Sequence, residues 1–138
     1  ISDKDRQRLE ACDGSRSVIF HNGVDDDTYI KLLEGATALV SASRDEGFGI
    51  PLVEAMSVGT PIVVSDIEIF HEIGGNAALF AHCDEPEDFA QRILSLQDPA
   101  VWLRRSQDSR RQASTFSWER SARELLSALH DVAGQTTS

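Results

Sequence analysis

Glu46 and Glu54 stand eight residues apart on either side of Gly47-Phe48-Gly49-Ile50-Pro51. Glycine frees the backbone from side-chain clashes, and proline, with φ already near the helical value, is favoured at the first position of a helix. The spacing predicts a helix starting at Pro51 and running to Val58. Its first peptide N–H groups have no partner within the helix and point back at the Gly-rich loop, with the positive end of the dipole behind them. Such a terminus suits a phosphate. Glu46 lies at its entrance and Glu54 one turn into the helix, so the two carboxylates reach different parts of one ligand rather than each other. The chemistry implied is the holding of a phosphorylated, hydroxyl-rich molecule. Plainer roles exist for the same residues: Glu54 complementing the helix dipole, worth about 0.5 kcal/mol, Glu46 as a solvated loop charge, and Phe48 as a core aromatic.

Two apolar runs must position this loop. Thr37-Ala-Leu-Val-Ser-Ala-Ser43 and Thr60-Pro-Ile-Val-Val-Ser65 are short and rich in small and β-branched residues, with the Pro51 helix between them. Together they read as a βαβ unit. Strands joined through a helix imply a parallel sheet covered on both faces, and ligands of such sheets gather outside the carboxyl ends of the strands. Glu46 to Gly49 follow such an end.

The rest of the chain alternates and then turns helical. Lys4 to Ala11 is a charged helical stretch, Ser17 to Phe20 a strand, Asp26 to Glu34 a helix and Leu39 to Ala42 a strand. Ile67 to Ile73 is a short helix with Gly74-Gly75 beyond its end, where left-handed backbone is easiest. Ala77 to Phe80 is a last strand. Helices are expected over Glu85 to Leu96, Ala100 to Thr115 and Trp118 to Val132, before a polar, disordered tail over 134–138. The predicted class is α/β, a Rossmann-like α/β/α sandwich with about three or four parallel strands.

Composition sets the outer limits. Of 138 residues, 41% are hydrophobic and 26% charged, enough for one compact domain. No run approaches the roughly 20 apolar residues that span a bilayer, and no signal-peptide pattern opens the chain. A formal charge of −10 argues against nucleic acid, whose backbone is bound by clustered Lys and Arg. Cys12 and Cys83 lack metal-ligand spacing and read as reduced thiols. His21, His71, His82 and His130 are scattered, so no metal is expected. Asp25-Asp26-Asp27 could attract Mg²⁺ but reads as a cap for the helix beginning near Thr28. Arg44 could reach a phosphate or sit exposed on the rim.

Several segments, in order, resemble the GT-B-fold glycosyltransferases of family 4, in the second half of their C-terminal nucleotide-sugar-binding domain. They are Phe20-His-Asn-Gly-Val24, Tyr29-Ile-Lys-Leu-Leu-Glu-Gly-Ala36, Ser41-Ala-Ser43, the E-x7-E pair Glu46 and Glu54, and Glu54-Ala-Met-Ser-Val-Gly-Thr-Pro-Ile-Val-Val-Ser-Asp66. Phe70-His-Glu-Ile-Gly-Gly-Asn-Ala-Ala78, Asp84-Glu-Pro-Glu-Asp88 and Phe116-Ser-Trp118 complete the set, which covers roughly residues 17 to 120. One position departs from the pattern: Glu68 stands where the family commonly has proline.

The resemblance implies a retaining hexosyltransferase that uses a UDP- or GDP-hexose and requires neither metal nor other cofactor. Glu46 is then the catalytic residue, set against the transferred sugar. Gly47, Phe48, Gly49 and Ile50 bind sugar and diphosphate, Glu54 the ribose hydroxyls, and the Val24 backbone the nucleobase, although any βα connection needs a turn residue at Val24. The Ser-Asp-Ile and Phe-His-Glu-Ile segments lean toward mannosyltransferase-like members, which points to polysaccharide biosynthesis. Residues 1–133 correspond to part of the C-terminal domain. Because the chain opens on Ile1 and the family's basic phosphate-clamping segment lies upstream, it reads as a fragment inactive alone. Its expected partners are the nucleotide sugar, its own N-terminal acceptor domain, and an acceptor glycan, lipid or small molecule. The expected setting is the cytoplasm, with peripheral contact to the inner face of the membrane through the absent domain. Two other readings share the fold: a non-catalytic binding or packing module, and an epimerase or phosphorylase half-domain.

Overall fold

The computed structural model describes residues 2–13 and 18–117. The helix expected over Trp118 to Val132 and the tail over 134–138 lie outside them. Helix α1 (Asp3–Asp13) and helix α2 (Asp26–Gly35) precede strand β1 (Leu39–Ser41). Helix α3 (Ile50–Val58), strand β2 (Ile62–Ser65), helix α4 (Glu68–Gly74) and strand β3 (Leu79–Ala81) follow, then helices α5 (Pro86–Ser95) and α6 (Pro99–Ala113).

The strands form one parallel sheet in the order β1-β2-β3, with Val40 opposite Val63 and Val64 opposite Phe80. Side chains alternate across β2. Ile62 and Val64 face a core built with Leu52, Ala55 and Met56 of α3 and Phe70 and Ile73 of α4. Val63 faces the opposite layer, where Leu79, Ala81 and Phe89 meet Leu96. The period of two across a strand and helices on both faces give the three-layer architecture expected of parallel β-strands. Helix α6 ties the layers together: Val101 and Trp102 pack on the second core and Ala113 on the first. Its polar side chains reach the backbone of other elements. Trp102 Nε1 donates to the Thr37 carbonyl at 3.0 Å and Gln112 Nε2 to the Ile73 carbonyl at 2.9 Å.

The expected strand over Ser17 to Phe20 does not form. Ser17 lies outside the described residues, and Val18 to Phe20 are not part of the sheet. A strand is stabilised by its ladder partner and by apolar cover, and Ile19 is 75% exposed. Phe20 instead takes the Arg6 guanidinium over its ring, 4.1 Å from the centroid. The last strand starts two residues later than its apolar run. Gly75, at φ 47°, ends α4, and a 3₁₀ turn over Gly75–Ala77 occupies the first of those residues.

Candidate functional site

Helix α3 starts one residue before the proline that was expected to open it, and Gly49 forms its N-cap at φ 73° and ψ 45°. That left-handed conformation is open to glycine at little cost. A Cβ there would lie 3.3 Å from Ile73 Cδ1 and 3.4 Å from Phe70 Cε1, so the loop rests directly on the core. Pro51 has no N–H, and the Leu52 N–H donates to the Gly49 carbonyl at 2.9 Å. The donors facing outward are therefore set back into the loop. The N–H groups of Gly47, Phe48, Gly49 and Ile50 take no acceptor among the described residues. Phe48 is 48% exposed and meets the ring of Phe116 edge-on, with centroids 6.3 Å apart. At that exposure it is not the core aromatic of the plainer reading.

The two glutamates open on different cavities. Glu46 lines an open cleft of about 520 Å³ between its own loop, which follows the carboxyl end of β1, and the start of α4, where the cap residue Ile67 and Glu68, Ile69 and Glu72 form the opposite side. With Asp45, four carboxylates border this cleft beside a single cation, Arg44, so negative charge is in excess there. Such a field repels a diphosphate and suits neutral hydroxyls, which carboxylates accept as hydrogen bonds. Glu68, at the position that departs from the family pattern, is one of those carboxylates.

Glu54 lines a second cavity, of about 340 Å³, between α2 and α3. Asp26, Tyr29, Ile30 and Leu33 form its α2 side, and Glu54, Ser57 and Val58 its α3 side. The spacings i, i+3, i+4 place each set on one helix face. Asp25 caps α2: its Oδ1 accepts from the Thr28 N–H and its Oδ2 from the Thr28 hydroxyl, both at 2.9 Å. These bonds hold the Asp25 carboxyl below its usual range. The capping role read from the sequence is met at Asp25, while Asp26 turns toward the Glu54 cavity. Val24, exposed to solvent, precedes this cap and follows Gly23, itself left-handed at φ 61°.

The family of glycosyl transferases group 1 matches residues 2–113. The chain belongs to that family. Its fold is that of the GT-B glycosyltransferases. Among solved structures it resembles TarM, with a TM-score of 0.79 over 92% of this chain and 26% of that one, at 22% identity. It is 46% identical over 66 residues to the O-antigen chain mannosyltransferase RfbU of Salmonella typhimurium, covering 48% of this chain and 19% of that protein. To the O-antigen chain mannosyltransferase B of Escherichia coli it is 35% identical over 106 residues, covering 76% of this chain and 28% of that protein. The chain thus spans less than a third of either mannosyltransferase.

Around the loop of this glycosyltransferase-family chain, residues that the sequence offered one by one are brought into pairs and clusters. Arg44 pairs with Asp84, joining the loop after β1 to the loop after β3. The arginine is exposed, and it lines the Glu46 cleft while pairing with that carboxylate. The Arg44 hydrogen bond and charge hold the Asp84 carboxyl below its ordinary 3.8. A lowered folded value stabilises the protein above the unfolded pKa, and that contribution is lost as pH falls through the folded one. In a carboxyl ¹³C NMR titration, Asp84 is expected to titrate below the ordinary aspartate range, and Arg44→Ala to return it toward that range.

His82, Cys83 and Asp84 bring ligand-capable atoms within 4.8 Å of one another on that same loop. A search for helical ligand spacing passes over three consecutive residues in a turn. Asp84 is already engaged by Arg44, and the cluster is largely exposed. Cys83 carries a free thiol, whereas the Cys12 side chain lies outside the described residues. His71 Nε2 lies 2.5 Å from Asp66 Oδ1, and its ring stacks on Phe80 at 3.9 Å between centroids. No described helix is long and apolar enough to cross a membrane.

Proposed function

We propose that this chain is the donor-binding part of a retaining glycosyltransferase that takes a nucleotide-diphosphate hexose and transfers the sugar to an acceptor hydroxyl. The observation that carries this reading is the presentation of Glu46 and Glu54 on either side of a left-handed Gly49, at the carboxyl end of a parallel strand, within a glycosyltransferase-family chain. Glu46 accepts hydroxyls of the transferred sugar in its acidic cleft. The N–H groups of Gly47 to Ile50 receive diphosphate oxygens, Glu54 accepts the ribose diol, and the backbone at Val24 meets the base. As the bond from the anomeric carbon to the diphosphate breaks, the acceptor oxygen bonds to that carbon on the same face. The acceptor proton leaves with the diphosphate. Stabilising charge on the leaving group lowers the barrier, and no step requires a metal. The two mannosyltransferase relatives favour mannose as the sugar and O-antigen polysaccharide as the acceptor class.

The test is a kinetic comparison in the intact protein. Glu54→Gln keeps the shape but removes the charge, and a hydrogen bond to a charged group is worth about 1.5–3 kcal/mol. The donor KM is expected to rise about 10-fold or more, with kcat little changed, because the ribose is bound alike in ground and transition states. An unchanged KM would sink the assignment. Amide NMR shifts over Gly47 to Glu54 on titration with UDP or GDP would identify the base.

A further inference from the structure

The cavity between α2 and α3 places Glu54 opposite Asp26, a second carboxylate, with Tyr29 one turn farther along α2. Two like charges on one cavity repel, so a carboxylate there needs a donor to hold it in one orientation. Ser57 is not that donor, since its hydroxyl donates to the Glu54 backbone carbonyl at 2.7 Å. The remaining side chains that line the cavity, Ile30, Leu33 and Val58, carry no polar group. Tyr29 is half-buried, and its ring packs against the core. Its position is therefore set by packing, which leaves only the phenol to choose a partner.

We propose that Tyr29 is a positioning residue whose phenol donates to the Glu54 carboxylate across the α2–α3 cavity and holds it in the orientation that meets the donor's diol. The inference rests on the role proposed for Glu54 and adds to it the group that aims it. Burial first, and then the Glu54 charge, push the Tyr29 hydroxyl above its ordinary 10.0. The phenol thus stays protonated, and able to donate, across the neutral range.

The experiment compares Tyr29→Phe, Glu54→Gln and the double variant in the intact protein. Phenylalanine keeps the packed ring and removes only the hydroxyl. Tyr29→Phe is expected to raise the donor KM about fivefold with kcat within about twofold. In the Glu54→Gln background the same change should add little, because the two residues act as a pair. In a ¹³Cζ tyrosine titration, the Tyr29 midpoint should fall in Glu54→Gln, since a negative neighbour has been removed. A raised KM in Glu54→Gln with a wild-type KM in Tyr29→Phe would overturn the inference while leaving the role of Glu54 standing. Equal effects of Tyr29→Phe in both backgrounds would overturn it too. If Glu54→Gln leaves KM unchanged, the role of Glu54 fails first and this inference falls with it.

Discussion

Glu46→Ala in the intact protein is expected to lower kcat by about 10- to 100-fold, with the donor KM changed by less than about threefold. The size follows from one hydrogen bond to a charged group, about 1.5–3 kcal/mol, lost where it counts most. In the proposed reaction the sugar ring acquires positive character as its bond to the diphosphate lengthens, so a carboxylate held against its hydroxyls would gain strength in that state. The loss therefore appears in kcat rather than in binding. The neighbours of Glu46 sharpen the expectation. Asp45, Glu68 and Glu72 border the same cleft, so removing one carboxylate leaves its field negative. What alanine removes is a particular acceptor at a particular place. Glu46→Gln, which can still accept through its amide oxygen, should fall between alanine and wild type. Steady-state kinetics with saturating acceptor checks both variants. A wild-type kcat in Glu46→Ala would move the sugar to another part of the molecule.

Phe70→Ala is expected to cost about 3–5 kcal/mol of stability, the range for deleting a fully buried phenylalanine. Phe70 is 0% exposed and sits in the core between α3, α4 and the sheet. A domain of this size has about 5–15 kcal/mol in all, so the variant should show a large drop in its urea midpoint and be partly unfolded in the absence of denaturant. The consequence reaches the site as well. The position a Gly49 side chain would take lies 3.4 Å from Phe70 Cε1, so the ring is part of the floor on which the loop rests. Phe70→Leu fills much of the volume and should restore most of the stability. An unaltered urea midpoint in Phe70→Ala would contradict the packing described here.

The parts of this architecture that local chemistry governs were legible in the sequence. Gly49 and Pro51 mark the start of α3 because each restricts or frees the backbone where it stands, and the shift of one residue reflects Gly49 acting as the cap. Asp25 marks the start of α2 in the same way, through bonds confined to one turn. The alternation of apolar runs with helices announced a parallel sheet. Where an outcome depended on distant neighbours, the sequence was silent. Val18 to Phe20 have the composition of a strand, but composition does not supply a ladder partner. Glu68 read only as a departure from the family's proline, and only the fold sets it across from Glu46. Tyr29 read as one residue of the Asp26 to Glu34 helix, and only the packing of α2 against α3 sets Glu54 across a cavity from it. The backbone carrying the proposed site was therefore easier to read than the second wall of either cavity.

The central strand gives the molecule an internal clock. All four residues of β2 are fully enclosed, with a hydrogen-bonded neighbour on each side. Amides in such a place exchange with deuterated water only when the whole sheet opens, whereas loop and terminal amides exchange through local fluctuations. Val63 and Val64 should thus report the global stability, while Gly47 to Gly49, whose N–H groups are bonded to no acceptor among the described residues, should exchange early. Occupancy of the loop by an anion would then be read as slowed exchange at those glycines against an unchanged rate in β2, separating ligand capture from any general tightening of the fold.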